Sequence, residues 1–339
     1  MLPLLALFAK RIAGDDCLLE LARRRFHRAG LGLELQPGSP EHLEQLLHFR
    51  PAPQTPVTVH LTHDLNLFEA SGRERILDYA GRFARRVNGL VIHDQPELAA
   101  QPDAYVRAAK ELNSRLQAIP GGPMLYVEYA SGLEPARFAQ FFMAAWNLTC
   151  LGACIDVGHV GIWQARQTFF QLHPGEDVCA LKSQPARLPS LMPDVDAAVS
   201  SALPTVLRLI EAIGACGKPV HFHLHDGHPL STFSPFGVAD HLSFLGEVPL
   251  PFTYRGRRSV PLLFGPAGLA QIAAKALQAI GPDRVSFTLE IHPVFERLPL
   301  GEEAPLFSHW TDKTNAEQMN HWLSVLCDNQ QLLLAAMRR

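Results

Sequence analysis

VTVH (57–60), LVIH (90–93), LYVE (125–128), ACID (153–156), VHFH (220–223) and FTLE (287–290) are short apolar runs that each finish on a metal-ligand type of side chain. The end residues are His60, His93, Glu128, Asp156, His223 and Glu290. Short buried runs separated by helical stretches form parallel strands covered on both faces. Packing gives no reason for acids and histidines to stand at the same end of so many strands. In a closed (β/α)8 barrel that end is the active face. The pattern predicts an α/β protein of this class, acting as a metal-dependent enzyme.

Outward from those runs, eight strand segments read as roughly 3–8, 31–35, 57–61, 89–93, 124–129, 151–156, 219–225 and 285–291. Helical patterns lie between most of them, at 15–28, 71–86, 103–117, 134–147, 196–213 and 267–279, and 314–337 has the apolar spacing of a closing helix. Strand and helix alternating in this way predict a (β/α)8 barrel occupying 1–339 as one domain. An open doubly wound sheet would want a glycine-rich phosphate turn after its first strand, and neither G-x-G-x-x-G nor G-x-x-x-x-G-K-[ST] occurs. Two connections are long. Residues 173–195 carry Pro174, Pro185, Pro189 and Pro193, and 227–265 are rich in glycine, proline and aromatics. Insertions of this length are expected as lids or binding loops on the active face.

The formal net charge is −3 and no long basic stretch exists, so nucleic acid is not the expected partner. No apolar run reads as a membrane span. The apolar start, Met1 to Phe8, lacks a basic n-region and reads as a strand rather than a signal peptide. None of the six cysteines forms a C-x-x-C pair, and reduced thiols in the cytoplasm are expected.

Glu128, Asp156, His223 and Glu290 are the strongest candidate metal ligands. Their oxygen-rich, mixed N/O character suits Mn, Mg, Co or Zn and gives no reason to expect a thiolate-preferring ion. His159 follows Asp156 by three residues across a tight turn that Gly158 is expected to permit, and is expected to face the same pocket as a substrate donor or a further ligand. His221, His223 and His225 alternate with apolar residues and so share one face of their strand, with His221 expected as a satisfied interior residue. His60 and His93 stand beside Glu128 and are candidates for a second metal or for substrate oxygens. Asp240 and His241, in the second long loop, are candidates to close over the substrate. His63, Asp64 and His292 lie nearby and are not expected to be ligands.

Taken in this order, the residues resemble the xylose-isomerase-like barrel superfamily, which includes sugar and sugar-phosphate isomerases and epimerases, inosose dehydratases and endonuclease IV. LYVEYASG resembles the strand ending in a metal-binding Glu. ACIDVGH resembles the strand that supplies an Asp with a His three residues later. VHFHLHDG resembles the strand carrying the metal-binding His, and FTLEI the final strand with its Glu. The likeness spans about residues 55–295. It implies that Glu128, Asp156, His223 and Glu290 hold one divalent metal, with Glu128 and Glu290 exchanging protons with a sugar. His60, His93 and His159 match positions that bind further metals in the endonuclease IV branch. The Asp-x-His pair of that branch is replaced here by Ala239-Asp240-His241.

The expected reaction is isomerisation or epimerisation of a sugar or polyol through a metal-stabilised enediolate. Glu128 or Glu290 takes the proton and His159 binds a substrate hydroxyl. A dehydratase or other lyase would use the same chemistry up to the leaving-group step. A multi-metal phosphodiesterase is the alternative enzyme class, and a sugar- or metal-binding barrel without turnover is a third. The family often dimerises, so a homodimer is also an expectation, although no segment defines an interface.

Overall fold

A computed structural model describes residues 2–3, 15–130, 132–231, 241–291 and 315–338. In chain order the elements are β1 (Leu2–Pro3), α1 (Asp16–Arg28), β2 (Leu33–Leu35), α2 (Pro40–His48), β3 (Val57–His60), α3 (Ala70–Arg82), β4 (Gly89–His93), α4 (Glu97–Ala100) and α5 (Pro102–Gln117). There follow β5 (Met124–Glu128), α6 (Pro135–Ala144), β6 (Leu151–Asp156), α7 (Val157–Leu172), α8 (Leu188–Ser200), α9 (Ala202–Ala215) and β7 (Val220–Leu224). The described chain then forms β8 (Glu247–Tyr254), β9 (Arg257–Pro261), α10 (Gly265–Ala279), β10 (Val285–Leu289) and α11 (Asn315–Met337).

Eight strands form one parallel sheet in the order β1-β10-β7-β6-β5-β4-β3-β2. The end strands β1 and β2 are neighbours, so the sheet rolls into a nearly closed barrel. Successive side chains on a strand point to opposite faces. Val57, Val59, Leu90, Ile92, Leu125, Val127, Phe222, Leu224 and Leu289 are buried in the layer shared with the helices. The intervening residues face the barrel interior, and many of them are polar. Register then decides which meet: His93 is level with Glu128, Asp156 with His223, and His223 with Thr288. The inward residues at the carboxyl ends of β4–β7 and β10 therefore converge by topology before any side-chain detail is considered.

The seven predicted strands from 31–35 to 285–291 are present, shorter by a residue or two at several ends. Of the segment 3–8 only Pro3 falls within the described residues, as the second residue of β1. Three helices, α2, the single-turn α4 and α7, have no counterpart among the sequence patterns. α2 starts from Ser39, whose side chain accepts from His42 N, with Pro40 in the first turn. α7 begins directly at Val157, where a tight turn was expected. The stretch 173–195 is less loop-like than its prolines suggested. It holds a 3₁₀ turn at Val178–Ser183 and the first half of α8, with Pro193 inside that helix.

The expected helix 196–213 is split at Ser201 into α8 and α9. Together these give an apolar stretch of 28 residues, long and apolar enough to span a membrane by those criteria alone, which the sequence reading did not count. Met192, Val195, Val206 and Ile210 from this stretch are buried within the protein. Residues 227–265 contain the antiparallel hairpin β8–β9, and Leu242 forms a bridge back to Asp226 just before them.

Candidate metal centre

The six strand-end residues named from sequence come together at the carboxyl end of the barrel, with three further histidines. They form three groups in which the ligand atoms all lie within 4.8 Å of one another: His60, His93 and Glu128; Glu128, Asp156, His223 and Glu290; and Asp156, His159, His225 and His241. Glu128 belongs to the first two groups and Asp156 to the last two. The groups are thus linked through shared carboxylates.

Glu128, at the end of β5, uses both oxygens. Its Oε2 lies 3.0 Å from His60 Nε2 and 3.5 Å from His93 Nε2. Its Oε1 lies 3.1 Å from His223 Nδ1, which is also 3.0 Å from Glu290 Oε2. Asp156 ends β6 and caps α7, accepting from His159 N at 2.7 Å through Oδ1. Capping orients the carboxylate without consuming its other lone pairs. His225 Nε2 lies 2.9 Å from Asp156 Oδ1 and 3.1 Å from Oδ2. His159, in the first turn of α7, places Nε2 3.8 Å from Asp156 Oδ2. His241 Nε2 is 3.6 Å from Glu290 Oε1, and its ring lies tilted against that of His225 with centroids 3.9 Å apart.

Close approach is needed where α7 meets β7. A Cβ on Gly158 would fall 2.0 Å from His225 Cε1. Gly158 is therefore required for space rather than for the turn expected from sequence.

Do these groups fit a metal? Two atoms each about 2.1 Å from one ion stand roughly 3.0–3.4 Å apart in octahedral or tetrahedral coordination. The imidazole-to-carboxylate spacings fall between 2.9 and 3.8 Å. Both ring nitrogens of buried His159 lack a hydrogen-bond partner. Buried polar atoms without partners are rare and call for an unseen one. Donor chemistry, spacing and unpartnered atoms all fit divalent ions. The central group is oxygen-rich. The two outer ones are histidine-rich, which suits Zn, Fe or Co better than Mg.

Electrostatics agree. Burial alone would raise the pKa of Glu128, but His223, His93 and His60 hold it well below the usual carboxylate range. Asp156 and Glu290 are likewise lowered by neighbouring histidines despite burial. The matching protons sit on imidazoles. Burial opposes protonation of His60 and His225, yet Glu128 raises the first to about 9 and Asp156 raises the second to about 9. His93 goes the other way, pushed down to about 3 mainly by burial. Ionised carboxylates in a closed pocket need positive charge, from protons or from metal.

Of the remaining sequence candidates, Asp240 and His292 lie outside the described residues. His63 stands at the exposed rim with Nδ1 2.7 Å from His93 Nδ1, touching a site residue from its far side. Asp64 pairs with Arg75 at 2.6 Å and takes no part in the groups. His221 is satisfied in the interior, between Ser286 Oγ at 2.7 Å and Glu34 Oε2 at 3.0 Å. Sequence reasoning missed two residues. His225 was grouped with its strand mates but not chosen, although its place on the inward face was a usable signal. Glu34 was passed over entirely, though a lone Glu inside the run Leu33-Glu34-Leu35 is unusual for a buried strand.

The fold and the site together define a (β/α)8 barrel whose carboxyl face carries linked histidine–carboxylate groups compatible with metal binding. No family model matches the chain, and no curated protein matches it. Among solved structures, the chain is similar to a thermostable mutant of a xylanase (Xyn10A) from Cellvibrio japonicus, with 12% identity, a TM-score of 0.39, and coverage of 74% of this chain and 72% of that one. A likeness at this level carries no argument about chemistry, and the class rests on the sheet topology and the site.

Proposed function

We propose that this protein is a multinuclear metal-dependent hydrolase of a small phosphate ester. The observation that carries this reading is the sharing of Glu128 and Asp156 between adjacent groups of ligands. Carboxylates that join neighbouring metal positions are the usual way to hold two or more ions a few ångströms apart, and such clusters serve phosphoester cleavage. Bound there, divalent ions would lower the pKa of water and neutralise charge on the phosphoryl oxygens.

Each residue's part follows from its place. Glu128 and Asp156 hold the cluster together. His60 and His93 would bind at one end, and His159, His225 and His241 at the other. His223 and Glu290 complete the middle. Apart from His93, these side chains are nearly closed off from solvent, which favours a compact substrate over a polymer. His241 is contributed by the loop after β7, so that loop helps to exclude water from the centre.

The second reading is the sugar isomerase or epimerase, with the dehydratase as its variant. It is favoured by the central set Glu128, Asp156, His223 and Glu290, which matches the single-metal arrangement implied by the family resemblance. Against it, both oxygens of Glu128 face histidines, which leaves no free lone pair directed at a substrate carbon. A proton-transferring carboxylate works best with a pKa near the working pH, whereas Glu128 and Glu290 are held low.

The test is to assay protein loaded with zinc, iron(II), cobalt or manganese against p-nitrophenyl phosphate and bis-p-nitrophenyl phosphate. Ketoses and their phosphates are incubated in D2O in parallel and followed by NMR. Phosphate or nitrophenol release without deuterium incorporation is the expected result. Deuterium exchange at the carbon beside the carbonyl, with no ester cleavage, would replace the first reading by the second.

A further inference from the structure

Beneath the metal-type groups, the barrel interior contains a second polar layer. Glu34, on β2, is fully buried there. Its Oε1 lies 2.9 Å from His223 Nε2, and its Oε2 lies 3.0 Å from His221 Nε2 and accepts from Thr288 Oγ1. His221 Nδ1 in turn meets Ser286 Oγ at 2.7 Å. A continuous column therefore runs from Ser286 through His221, Glu34 and His223 to Glu128 and Glu290. Such barrels are ordinarily filled by bulky branched residues.

A buried carboxylate is costly unless it is paired. The contact between Glu34 and His223 is an ion-pair approach, and neither Glu34 Oε1 nor His223 Nε2 makes a hydrogen bond to any other described residue. A ring with Nε2 facing a carboxylate carries its hydrogen there and turns the lone pair of Nδ1 the other way. A carboxylate behind a metal-binding histidine fixes its tautomer and ring orientation and strengthens it as a ligand.

We propose that Glu34 is a positioning residue for the metal centre: from across the barrel it holds His223 with Nδ1 turned toward Glu128 and Glu290, and so determines whether the central position retains an ion. This inference rests on the metal-binding reading of the site, not on the reaction assigned to it.

Metal-free wild type, Glu34→Gln and Thr288→Val are titrated with cobalt(II), following bound metal by elemental analysis and the visible absorption of the cobalt. Thr288→Val removes the hydrogen bond to Oε2 and leaves the approach of Oε1 to His223 in place, and should keep the wild-type stoichiometry and spectrum. Glu34→Gln keeps the shape but loses the charge. It should bind one cobalt fewer, or bind that ion about 10–100-fold more weakly, with loss of one component of the spectrum. If Glu34→Gln fails to fold, as judged by circular dichroism, Glu34→Asp replaces it. The shorter acid keeps the charge but withdraws from His223, and the same loss is expected. Full wild-type stoichiometry, affinity and spectrum in a folded Glu34 variant would overturn the proposal while leaving the metal reading intact. A wild type that takes up no cobalt would overturn both.

Discussion

Glu128 is the residue on which the account turns, because its two oxygens face different partners. Removing its charge should affect two metal positions rather than one. Glu128→Gln is expected to lower bound metal by more than His60→Ala does, and elemental analysis of the two variants after identical loading checks this. Equal losses would mean that Glu128 serves one position only. The imidazoles give a second prediction. His60 and His225 carry protons in the metal-free fold, with pKa raised from 6.5 to about 9 by Glu128 and Asp156 against the effect of burial. Between those values the folded protein binds more protons than the unfolded chain, so stability falls as pH rises through that window. Metal-free protein should therefore melt at lower temperature at pH 9.5 than at pH 6.5. Metal-loaded protein should show a smaller change and should release protons on loading, since ligand imidazoles are neutral. A metal-free melting temperature that is flat across the window would contradict the charge arrangement.

At the scale of elements, the junction of β6, α7 and β7 builds the histidine-rich end of the centre. Alanine at a helical glycine ordinarily stabilises by about 0.5–1 kcal/mol. Here the added methyl would strike the His225 ring, and overpacking of this kind costs about 1–3 kcal/mol. Gly158→Ala should therefore lower the melting temperature and weaken metal binding at the Asp156, His159, His225 and His241 group. A higher melting temperature with full metal content would show that α7 and β7 can separate without consequence. The loop after β7 is held by Asp226, whose carboxylate accepts from Gly227, Phe264 and Gly265 backbone N–H groups and ties the start of α10 to the end of β7. Asp226→Asn weakens these bonds and is expected to loosen the segment that delivers His241, seen as faster hydrogen exchange over 241–264 than in the wild type.

For the molecule as a whole, residues far apart in sequence meet because strand order and register place them level. This explains what was legible beforehand. Strand ends were readable because buried apolar runs stop abruptly at a polar residue, and the parallel fold puts all such ends on one side. Glu128, Asp156, His223 and Glu290 do converge, and His60, His93, His159 and His241 join them. Glu34 was not legible, because its meaning depends on a contact across the barrel with a strand almost two hundred positions away, which no local pattern encodes. His225 was half legible, since period two placed it on the right face but could not say how deep it would sit. Gly158 was assigned a turn because a helix starting at the strand's last residue leaves no sign until Asp156 is seen capping it. The prolines of 173–195 misled because Pro189 stands in the first turn of α8, where proline is tolerated, and Pro193 is accommodated inside the same helix.

The central claim is that the carboxyl face holds linked metal positions joined by Glu128 and Asp156. Its most direct test is the anomalous diffraction of crystals of the metal-loaded protein, collected at the absorption edge of the bound metal. The account predicts more than one peak, with Glu128 and Asp156 each contacting two of them, and the outer peaks next to His60 and His93 or to His159, His225 and His241. One peak alone, held by Glu128, Asp156, His223 and Glu290 with the other histidines uncoordinated, would contradict it and return the protein to the single-metal isomerase reading.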